Sequence, residues 1–176
     1  VYNNLRIKLL SVSASDDSFA EKLHGPVYEE NSGACRFILC MMAKTGMTQE
    51  TYVDLWRQYD SKQYVWSIEH IFPQGNNIPQ AWVDMIADGD RNKAQEYQAL
   101  YVHTFGNLTI TGYNSSLSNK SFEEKRDRKD NSGKYIGYRN GLNLNADVAD
   151  KTAWTVDAIK ARTDSMIEKI LAMFQL

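Results

Sequence analysis

The chain has 176 residues and a mass of 20.1 kDa, which fits one domain or at most two small ones. Hydrophobic residues make up 43% of it, so we expect a packed core rather than wholesale disorder. With 20 Lys and Arg against 22 Asp and Glu, the net charge is −2. This balance excludes a uniformly basic nucleic-acid-binding coat but allows a local basic face.

We expect no membrane partner, because no apolar run approaches the roughly 18 residues that span a bilayer. Cys35 and Cys40 lie in one apolar run and cannot form a disulfide framework, which favours a reducing, cytoplasmic setting. The first residue is Val1 rather than Met, so we expect a piece of a longer protein.

Helical patterns dominate the first 60 residues. After a helical opening and a polar stretch, the apolar residues of 34–44 predict a buried helix. Thr48 can cap a second helix that runs to about Tyr59 and buries Tyr52, Leu55 and Trp56.

The pattern then changes to short β-rich runs. Residues 64–68 read Tyr-Val-Trp-Ser-Ile and predict a strand that ends just before Glu69 and His70. Residues 107–111 read Asn-Leu-Thr-Ile-Thr and predict a second strand. About 38 residues separate the two, far more than a hairpin loop holds, and a helical pair at 79–101 is expected to fill the gap.

The C-terminal third is again helical. Asn114 or Ser115 can cap a helix after the second strand. Residues 130–146 are rich in Gly and Asn and predict a long loop. A last amphipathic helix runs from Thr155 to Phe174. The predicted order is mostly helical, with one pair of short strands near the middle.

Three short motifs follow one another in the middle of the chain. Residues 69–73 read Glu-His-Ile-Phe-Pro, residues 103–111 read His-Thr-Phe-Gly-Asn-Leu-Thr-Ile-Thr, and residues 114–125 read Asn-Ser-Ser-Leu-Ser-Asn-Lys-Ser-Phe-Glu-Glu-Lys. This order of strand, strand and helix with His, Asn and Asn resembles the ββα-metal site of HNH (His-Me finger) nucleases. The longer pattern resembles the HNH domain at the C-terminal end of GmrSD-type modification-dependent restriction enzymes, from about residue 36 onward.

The resemblance implies a mainly α fold with a small embedded ββα-metal element. It implies a single nuclease domain over 1–176, with a helical flank at 1–62, a core at 63–129 that contains a helical insertion at 75–103, and a loop and helix at 130–176. The same resemblance implies a restriction or phage-defence protein whose missing N-terminal domain uses nucleotides.

The residue types suit phosphodiester hydrolysis. His70, with an ordinary pKa near 6.5, can take a proton from water at neutral pH. A carboxylate and an Asn oxygen form an oxygen-only ligand set that suits one Mg²⁺ or Mn²⁺ ion. Successive side chains of a strand point to opposite sides, however. A distortion at the strand end must bring Glu69 and His70 into one pocket, or one of them has another role.

The resemblance implies roles for individual residues. His70 would be the general base, Glu69 would bind the metal, and Asn107 would orient the catalytic His or tie the loop together. Asn119 and Asn114 both remain candidates for the other metal ligand; we favour Asn119, with Asn114 as a helix cap. The chain has no paired Cys-x-x-Cys knuckles, so we expect no structural zinc.

Residues 120–139 hold seven Lys or Arg against four Asp or Glu, a net charge of +3 in an otherwise acidic chain. A solvated, charge-laced helix is the ordinary interpretation. Because this run adjoins the expected site, it also predicts a groove for the DNA backbone, in which Lys120, Lys125 and Arg126 contact phosphates. His103 is expected to hydrogen-bond the turn before Asn107.

The predicted function is that of a metal-dependent DNA endonuclease, with base-modified phage DNA among the candidate substrates. One alternative is a non-catalytic DNA-binding or inter-subunit module on the same scaffold. Another is a metal-dependent hydrolase of small phosphodiesters.

Overall fold

The computed structural model describes residues 2–60 and 62–174. It is mainly helical, with one two-stranded antiparallel sheet of β1 (Ser67–His70) and β2 (Leu108–Thr111). The predicted class, mostly helices with a pair of short strands, is confirmed at this level. The helices are α1 (Tyr2–Val12), α2 (Asp16–Leu23), α3 (Val27–Glu30), α4 (Ser32–Lys44), α5 (Gln80–Ala87), α6 (Arg91–Tyr101), α7 (Asn114–Leu117), α8 (Phe122–Asp127), α9 (Ala146–Ala149) and α10 (Val156–Met173).

The first strand lies further along the chain than the sequence predicted. Glu69 and His70 belong to β1, because Thr109 and Leu108 of β2 pair with them. The ladder continues one step beyond the strands, where the Ile71 N–H donates to the Asn107 carbonyl oxygen at 2.9 Å. The end of β1 is therefore held directly against the start of β2.

Two clusters of buried hydrophobic residues flank this small sheet. The first joins α4 and the C-terminal half of α10 to β2, and the second joins α5, α8 and the start of α10 to the loop after β1. Members of the first include Leu39, Leu108, Ile110, Met166 and Ile170, and members of the second include Phe72, Trp82, Phe122, Trp154 and Ile159. The sheet thus connects two halves of the core.

The helix predicted from Thr48 to about Tyr59 is wrong. Residues 48–59 form turns and irregular backbone instead. The hydroxyl of Thr51 accepts the Thr48 N–H at 2.8 Å and so closes a local turn. Such side-chain hydrogen bonds compete with helix formation, which explains why the cap-like Thr48 starts no helix.

A buried arginine holds this irregular segment to α4. Nη2 of Arg36 donates to the carbonyl oxygens of Leu55 at 2.6 Å and Trp66 at 3.0 Å. The guanidinium also lies over the rings of Trp56 and Tyr64, with centroid distances of 4.8 and 3.5 Å. Arg36 therefore fixes the chain that leads into β1.

The helix predicted after β2 is broken into α7 and α8. Ser118 has a positive φ of 39°, which ends α7 after one turn. Ser121 then begins α8 with a capping box that it shares with Glu124. Asn114 is the first residue of α7 rather than its cap, so that prediction is wrong. Asn119 lies between the two helices rather than on one.

The last helix docks on the turn that precedes β2. The last helix was predicted from Thr155 to Phe174; it runs from Val156 to Met173, and Thr155 is its N-cap, whose hydroxyl accepts the Ala158 N–H. The turn, a single 3₁₀ helix at Phe105–Asn107, approaches α10 so closely that a Cβ on Gly106 would overlap the carbonyl oxygen of Ile159. Arg162 of α10 donates to the carbonyl oxygens of Gly106 and Leu108 at 2.8 and 2.7 Å.

Other features complete the fold. Residues 130–146 are mainly loop, as predicted, and α5 and α6 fill the gap between the strands. Cys35 and Cys40 are buried free thiols. Within the described part of the chain, no helix has the length and apolar character needed to cross a membrane.

Candidate active site around His70

His70 lies at the end of β1 in a pocket of aromatic rings. It is 6% exposed, and its Nε2 lies 3.1 Å from Nδ1 of His103, in the loop after α6. The ring of Tyr28 in α3 packs edge-on against the ring of His70 and stacks on the ring of His103, with centroid distances of 4.7 and 5.3 Å. Elements that are far apart in sequence therefore surround His70.

Burial determines the charge of these two imidazoles. It lowers the pKa of His70 to about 3, with smaller contributions in the same direction from His103 and Lys125. Burial also lowers the pKa of His103, although the Glu29 carboxylate opposes that shift. Both rings are therefore neutral at pH 7, and each carries a single N–H.

The other ring nitrogen of His70 remains available. The side-chain hydrogen bond of His70 uses Nε2, and Nδ1 has no hydrogen-bond partner among residues 2–60 and 62–174. In the same part of the chain, only Arg36 has side-chain nitrogen or oxygen atoms that are shielded from solvent and also lack a hydrogen-bond partner. Nδ1 of His70 must therefore touch solvent, where a water molecule can reach it.

Asn107 clamps the loop that follows His70. Its Oδ1 accepts the Phe72 N–H at 2.8 Å, and its Nδ2 donates to the Phe72 carbonyl at 2.9 Å and to the Val102 carbonyl at 3.0 Å. Nε1 of Trp154 donates to the same Oδ1 at 3.1 Å. Asn107 is fully buried, so its amide makes these protein contacts rather than contacts with substrate.

Glu69 points away from His70 into a second buried cluster. Its Oε1 accepts hydrogen bonds from Nζ of Lys125 at 2.7 Å and from the hydroxyl of Tyr138 at 3.3 Å. Lys125 also donates to the carbonyl oxygens of His70 and Ile71 at 2.8 and 3.1 Å. The alternation along a strand is therefore kept, and no distortion brings Glu69 and His70 into one pocket.

The Glu69–Lys125 ion pair is buried, with 4% of the Glu69 side chain and 1% of the Lys125 side chain exposed. Burial raises the pKa of Glu69, while the Lys125 ammonium and the Tyr138 hydroxyl oppose that shift. Lys125 is 1% exposed, and three acceptors around its ammonium group use all of its N–H groups. The prediction that Lys125 contacts DNA phosphates is therefore wrong, because the group has no free donor at the surface.

Asn114 and Asn119 occupy different places. Nδ2 of Asn114 donates to the Ile68 carbonyl at 2.7 Å and to the Ser67 hydroxyl at 3.2 Å, which places it on the face of β1 that also carries Glu69. Asn119 is exposed and lies beside Gly75, in the loop after β1. A Cβ added to Gly75 would be 3.6 Å from the Asn119 amide nitrogen.

The described residues contain no group of three or more His, Cys, Asp or Glu side chains that could hold a metal ion. Two oxygen atoms on one face of β1 are nevertheless free. Oε2 of Glu69 and Oδ1 of Asn114 have no hydrogen-bond partner in the described part of the chain, and neither is an enclosed atom. Carboxylate and amide oxygens are the ligand types that a hard cation prefers.

The remaining predicted DNA contacts lie on the surface beside α8. Nζ of Lys120 is 3.9 Å from Glu124, and its side chain is 36% exposed. Arg126 is less free, because it pairs with Asp127 and donates to the Lys151 carbonyl. Arg128 and Lys129 are exposed.

The sequence interpretation missed two neighbours of His70. The ring of His103 hydrogen-bonds His70, not the turn before Asn107 as predicted. Its position four residues before Asn107 in the same motif is a signal that could have identified it. Tyr28 gives no such signal, because it lies 42 residues before His70 (70 − 28) in a part of the chain without a motif.

The comparisons with known proteins agree with the motif. No match to the chain is found among curated proteins or solved structures. The family described as GmrSD restriction endonucleases, C-terminal domain, matches residues 13–169, which is 157 of 176 positions (169 − 13 + 1). This relates the domain to the nuclease role of restriction endonucleases. The chain belongs to the family of C-terminal domains of the GmrSD restriction endonucleases.

Proposed function

We propose that this domain is a divalent-metal-dependent DNA endonuclease of the HNH type, in which His70 is the general base. The observation that carries the proposal is the clamp formed by Asn107. An HNH site needs the loop after the catalytic His to be fixed, and the Asn107 amide binds both backbone groups of Phe72, two residues beyond His70. The family membership supports the nuclease role.

His70 would take a proton from the attacking water at Nδ1, the ring nitrogen that touches solvent. Its low pKa keeps it neutral and able to accept a proton at pH 7. A phosphodiester beside the ring is anionic and would raise this pKa toward neutrality, since an opposite charge favours the imidazolium form. Substrate binding would thus make His70 a stronger base.

Glu69 and Asn114 would hold the ion through Oε2 and Oδ1, with Asn119 as the other candidate ligand at the edge of the loop. A bound Mg²⁺ or Mn²⁺ supplies charge neutralisation at the phosphate and the leaving oxygen. The Lys125 ammonium beside Oε1 cancels much of the Glu69 charge. We therefore expect weak metal binding until phosphate oxygens add to the ligand set.

Lys120, Arg128 and Lys129 would contact the DNA backbone beside this site, and Arg126 would do so only if it gave up part of its pairing with Asp127. In the full protein, the domain would be the cytoplasmic nuclease part of a restriction or phage-defence system, with a nucleotide-using domain on another segment. Base-modified phage DNA remains a candidate substrate.

Plasmid cleavage tests the proposal. The wild-type chain, His70→Ala and His24→Ala are each incubated with supercoiled plasmid and Mg²⁺, Mn²⁺ or EDTA. His24 is the matched control, because it is an exposed histidine that contacts Asp164. We expect His70→Ala to slow cleavage by about 10²- to 10⁴-fold, the usual contribution of a general base. EDTA should abolish cleavage, and His24→Ala should leave its rate unchanged.

Other outcomes separate the alternatives. Wild-type rates for His70→Ala would contradict the role of His70. DNA retention without cleavage by wild type and His70→Ala alike would indicate a binding module. Cleavage of bis-nitrophenyl phosphate but not of DNA would indicate a hydrolase of small phosphodiesters.

A further inference from the structure

We propose that a pocket at the end of the sheet opposite His70 binds one unstacked base of the DNA. This strand-end pocket is lined by three aromatic residues and by polar and apolar residues of the surrounding loops, among them Trp66, Tyr113, Lys134, Tyr135, Leu142 and Asn143. The inference rests on the proposed function, because it assumes that the domain binds DNA. Base binding can be measured without cleavage, so the two can be tested separately.

The pocket lies beyond the ends of both strands and has room for a base. Trp66 directly precedes β1, and Tyr113 follows the last residue of β2 by two positions. His70 ends β1 on the other side, four residues from Trp66 (70 − 66), which is roughly 13 Å along an extended strand. The cavity measures about 530 Å³, within the range of about 300–1,000 Å³ that is typical of small-molecule sites. A base bound there would lie within the span of a few nucleotides from His70.

Three aromatic rings line the pocket without covering one another. Among the described residues, no ring contact joins any two of Trp66, Tyr113 and Tyr135. Tyr113 is 45% exposed, and the other two are half-buried. The rings therefore leave space that another flat group can fill, and stacking on an aromatic ring accepts any base.

Hydrogen bonds fix the backbone that carries two of these rings. The Trp66 carbonyl oxygen accepts a hydrogen bond from Nη2 of Arg36 at 3.0 Å. The Tyr113 N–H donates to the Thr111 hydroxyl, also at 3.0 Å. Because the backbone is already held in place, a bound base has little conformational order to impose on it.

A side-chain amide in the lining can contact the edge of a base. Asn143 is exposed, and its side chain makes no hydrogen bond within the part of the chain that the structure describes. Its amide offers both a donor and an acceptor, the combination with which Asn binds the edge of adenine. The pocket thus combines surfaces for stacking with a group for hydrogen bonding.

The charges around the pocket suit a nucleotide. The lining contains Lys134 and no Asp or Glu. Nζ of Lys129, one of the residues that would contact the DNA backbone, lies 4.5 Å from the centre of the Tyr135 ring. A strand whose phosphate binds Lys129 would therefore bring a base next to Tyr135. This connection favours a nucleotide over a segment of another protein as the occupant.

Bulged DNA duplexes test base binding directly. Two duplexes of equal length and charge are compared, one with a single unpaired adenine and one with an abasic site at the same bulge. In EDTA, which removes the metal that cleavage would need, we expect the chain to bind the adenine bulge about 10-fold more tightly, as for one stacked base. Fluorescence anisotropy measures both dissociation constants. Equal affinities in the wild-type chain would overturn the inference.

Tyr113→Leu tests whether the base lies in this pocket. The variant removes an exposed ring, and circular dichroism checks that the fold is kept. We expect the preference for the adenine bulge to disappear while the affinity for the abasic bulge stays unchanged. Tyr59→Leu is the matched control, because Tyr59 is 57% exposed and does not line the pocket, and it should keep the wild-type preference. An unchanged preference in Tyr113→Leu, or an equal loss in both variants, would overturn the inference.

Plasmid cleavage separates this inference from the proposed function. If the wild-type chain cleaves plasmid but binds both bulges equally, the inference fails and the proposed function stands. If it cleaves no plasmid but prefers the adenine bulge, and Tyr113→Leu removes that preference, the pocket stands and the nuclease proposal fails. Absence of both cleavage and DNA binding would contradict both.

Discussion

Lys125 is a charged side chain that forms part of the protein interior. Its ammonium group is bonded to the Glu69 carboxylate and to two carbonyl oxygens at the end of β1. Those carbonyls belong to His70 and Ile71, so Lys125 holds the backbone of the candidate base, His70, in place. Lys125 lies with Glu69 on the side of β1 opposite the His70 ring. The charge therefore serves the site through structure rather than through contact with DNA.

Removal of the Lys125 ammonium group should lower the free energy of unfolding much more than removal of an exposed ammonium group. Lys125→Met leaves the Glu69 carboxylate buried without a cation, and we expect the free energy of unfolding to fall by about 3–5 kcal/mol. Urea denaturation in EDTA measures it. Lys120→Met is the matched control, because its pair with Glu124 is exposed, and it should change the value by at most about 1 kcal/mol.

A double variant separates the stability effect of the ion pair from the effect of an unpaired buried charge. In Glu69→Gln/Lys125→Met no charge is left buried, so we expect a smaller loss of stability than in Lys125→Met alone. Equal losses for Lys125→Met and Lys120→Met would contradict the buried ion pair.

Residue type and spacing predicted part of this site. His70 and Asn107 were identified because each stands in a short motif next to a β-rich run. The burial of Lys125 and Tyr138 could not be predicted in the same way. It depends on the direction in which α8 and the following loop return to β1, which local sequence does not determine.

Among the elements, the helices with strong local signals were predicted well. Pro79 stands at the N-cap position of α5, and the Asp90 side chain caps α6 by accepting the Lys93 N–H. The segment at 48–59 has similar apolar spacing but forms no helix. Its conformation depends on tertiary contacts with Arg36, and a contact between distant residues leaves no periodicity in the sequence.

Arg36 should therefore be essential for the order of that segment. Arg36→Met leaves the Leu55 and Trp66 carbonyl oxygens without their donor and removes the cation–π contacts. We expect the free energy of unfolding to fall by about 1–3 kcal/mol, as for buried acceptors left unpaired. Thermal and urea denaturation measure the loss.

The control for Arg36 lies in the segment itself. Arg57 is exposed, and Arg57→Met should change the free energy of unfolding by no more than about 0.5 kcal/mol. Hydrogen exchange should show faster exchange of the Val65 N–H, which binds the Arg57 carbonyl, in Arg36→Met than in wild type. An unchanged exchange rate of the Val65 N–H would contradict the role of Arg36 in holding this segment in place.

At the scale of the whole molecule, α10 packs against the turn that positions Asn107. It contacts the Phe105–Asn107 turn at Gly106, where the two backbones approach too closely for any side chain. Arg162 adds hydrogen bonds from α10 to the same turn and to Leu144. The position of Asn107 is thus determined by a helix that begins 49 residues later in the chain (156 − 107).

A methyl group at this contact should loosen the whole assembly. In Gly106→Ala, the new Cβ overlaps the Ile159 carbonyl and the Thr163 hydroxyl, so α10 or the turn must move. We expect a loss of about 3 kcal/mol in the free energy of unfolding and slower DNA cleavage, since Asn107 is the next residue. Urea denaturation and the plasmid assay measure both effects.

Gly33→Ala is the control for this substitution. Gly33 lies in the first turn of α4, and its new Cβ would meet only the Asn31 side chain, at 3.5 Å. Alanine favours helix, so stability should stay equal or rise by up to about 1 kcal/mol. A loss in Gly33→Ala as large as that in Gly106→Ala would show that close backbone approach is not the cause.

The Asn107 amide also joins the two ends of the inserted segment. Nδ2 binds the Phe72 carbonyl, where the chain leaves the sheet, and the Val102 carbonyl, where it returns after α5 and α6. One side chain thus closes the inserted segment at its base, so the end of β1 is held in place independently of the length of the insertion. We expect a longer or shorter insertion to leave the position of His70 unchanged, provided that Asn107 keeps its bonds to both ends.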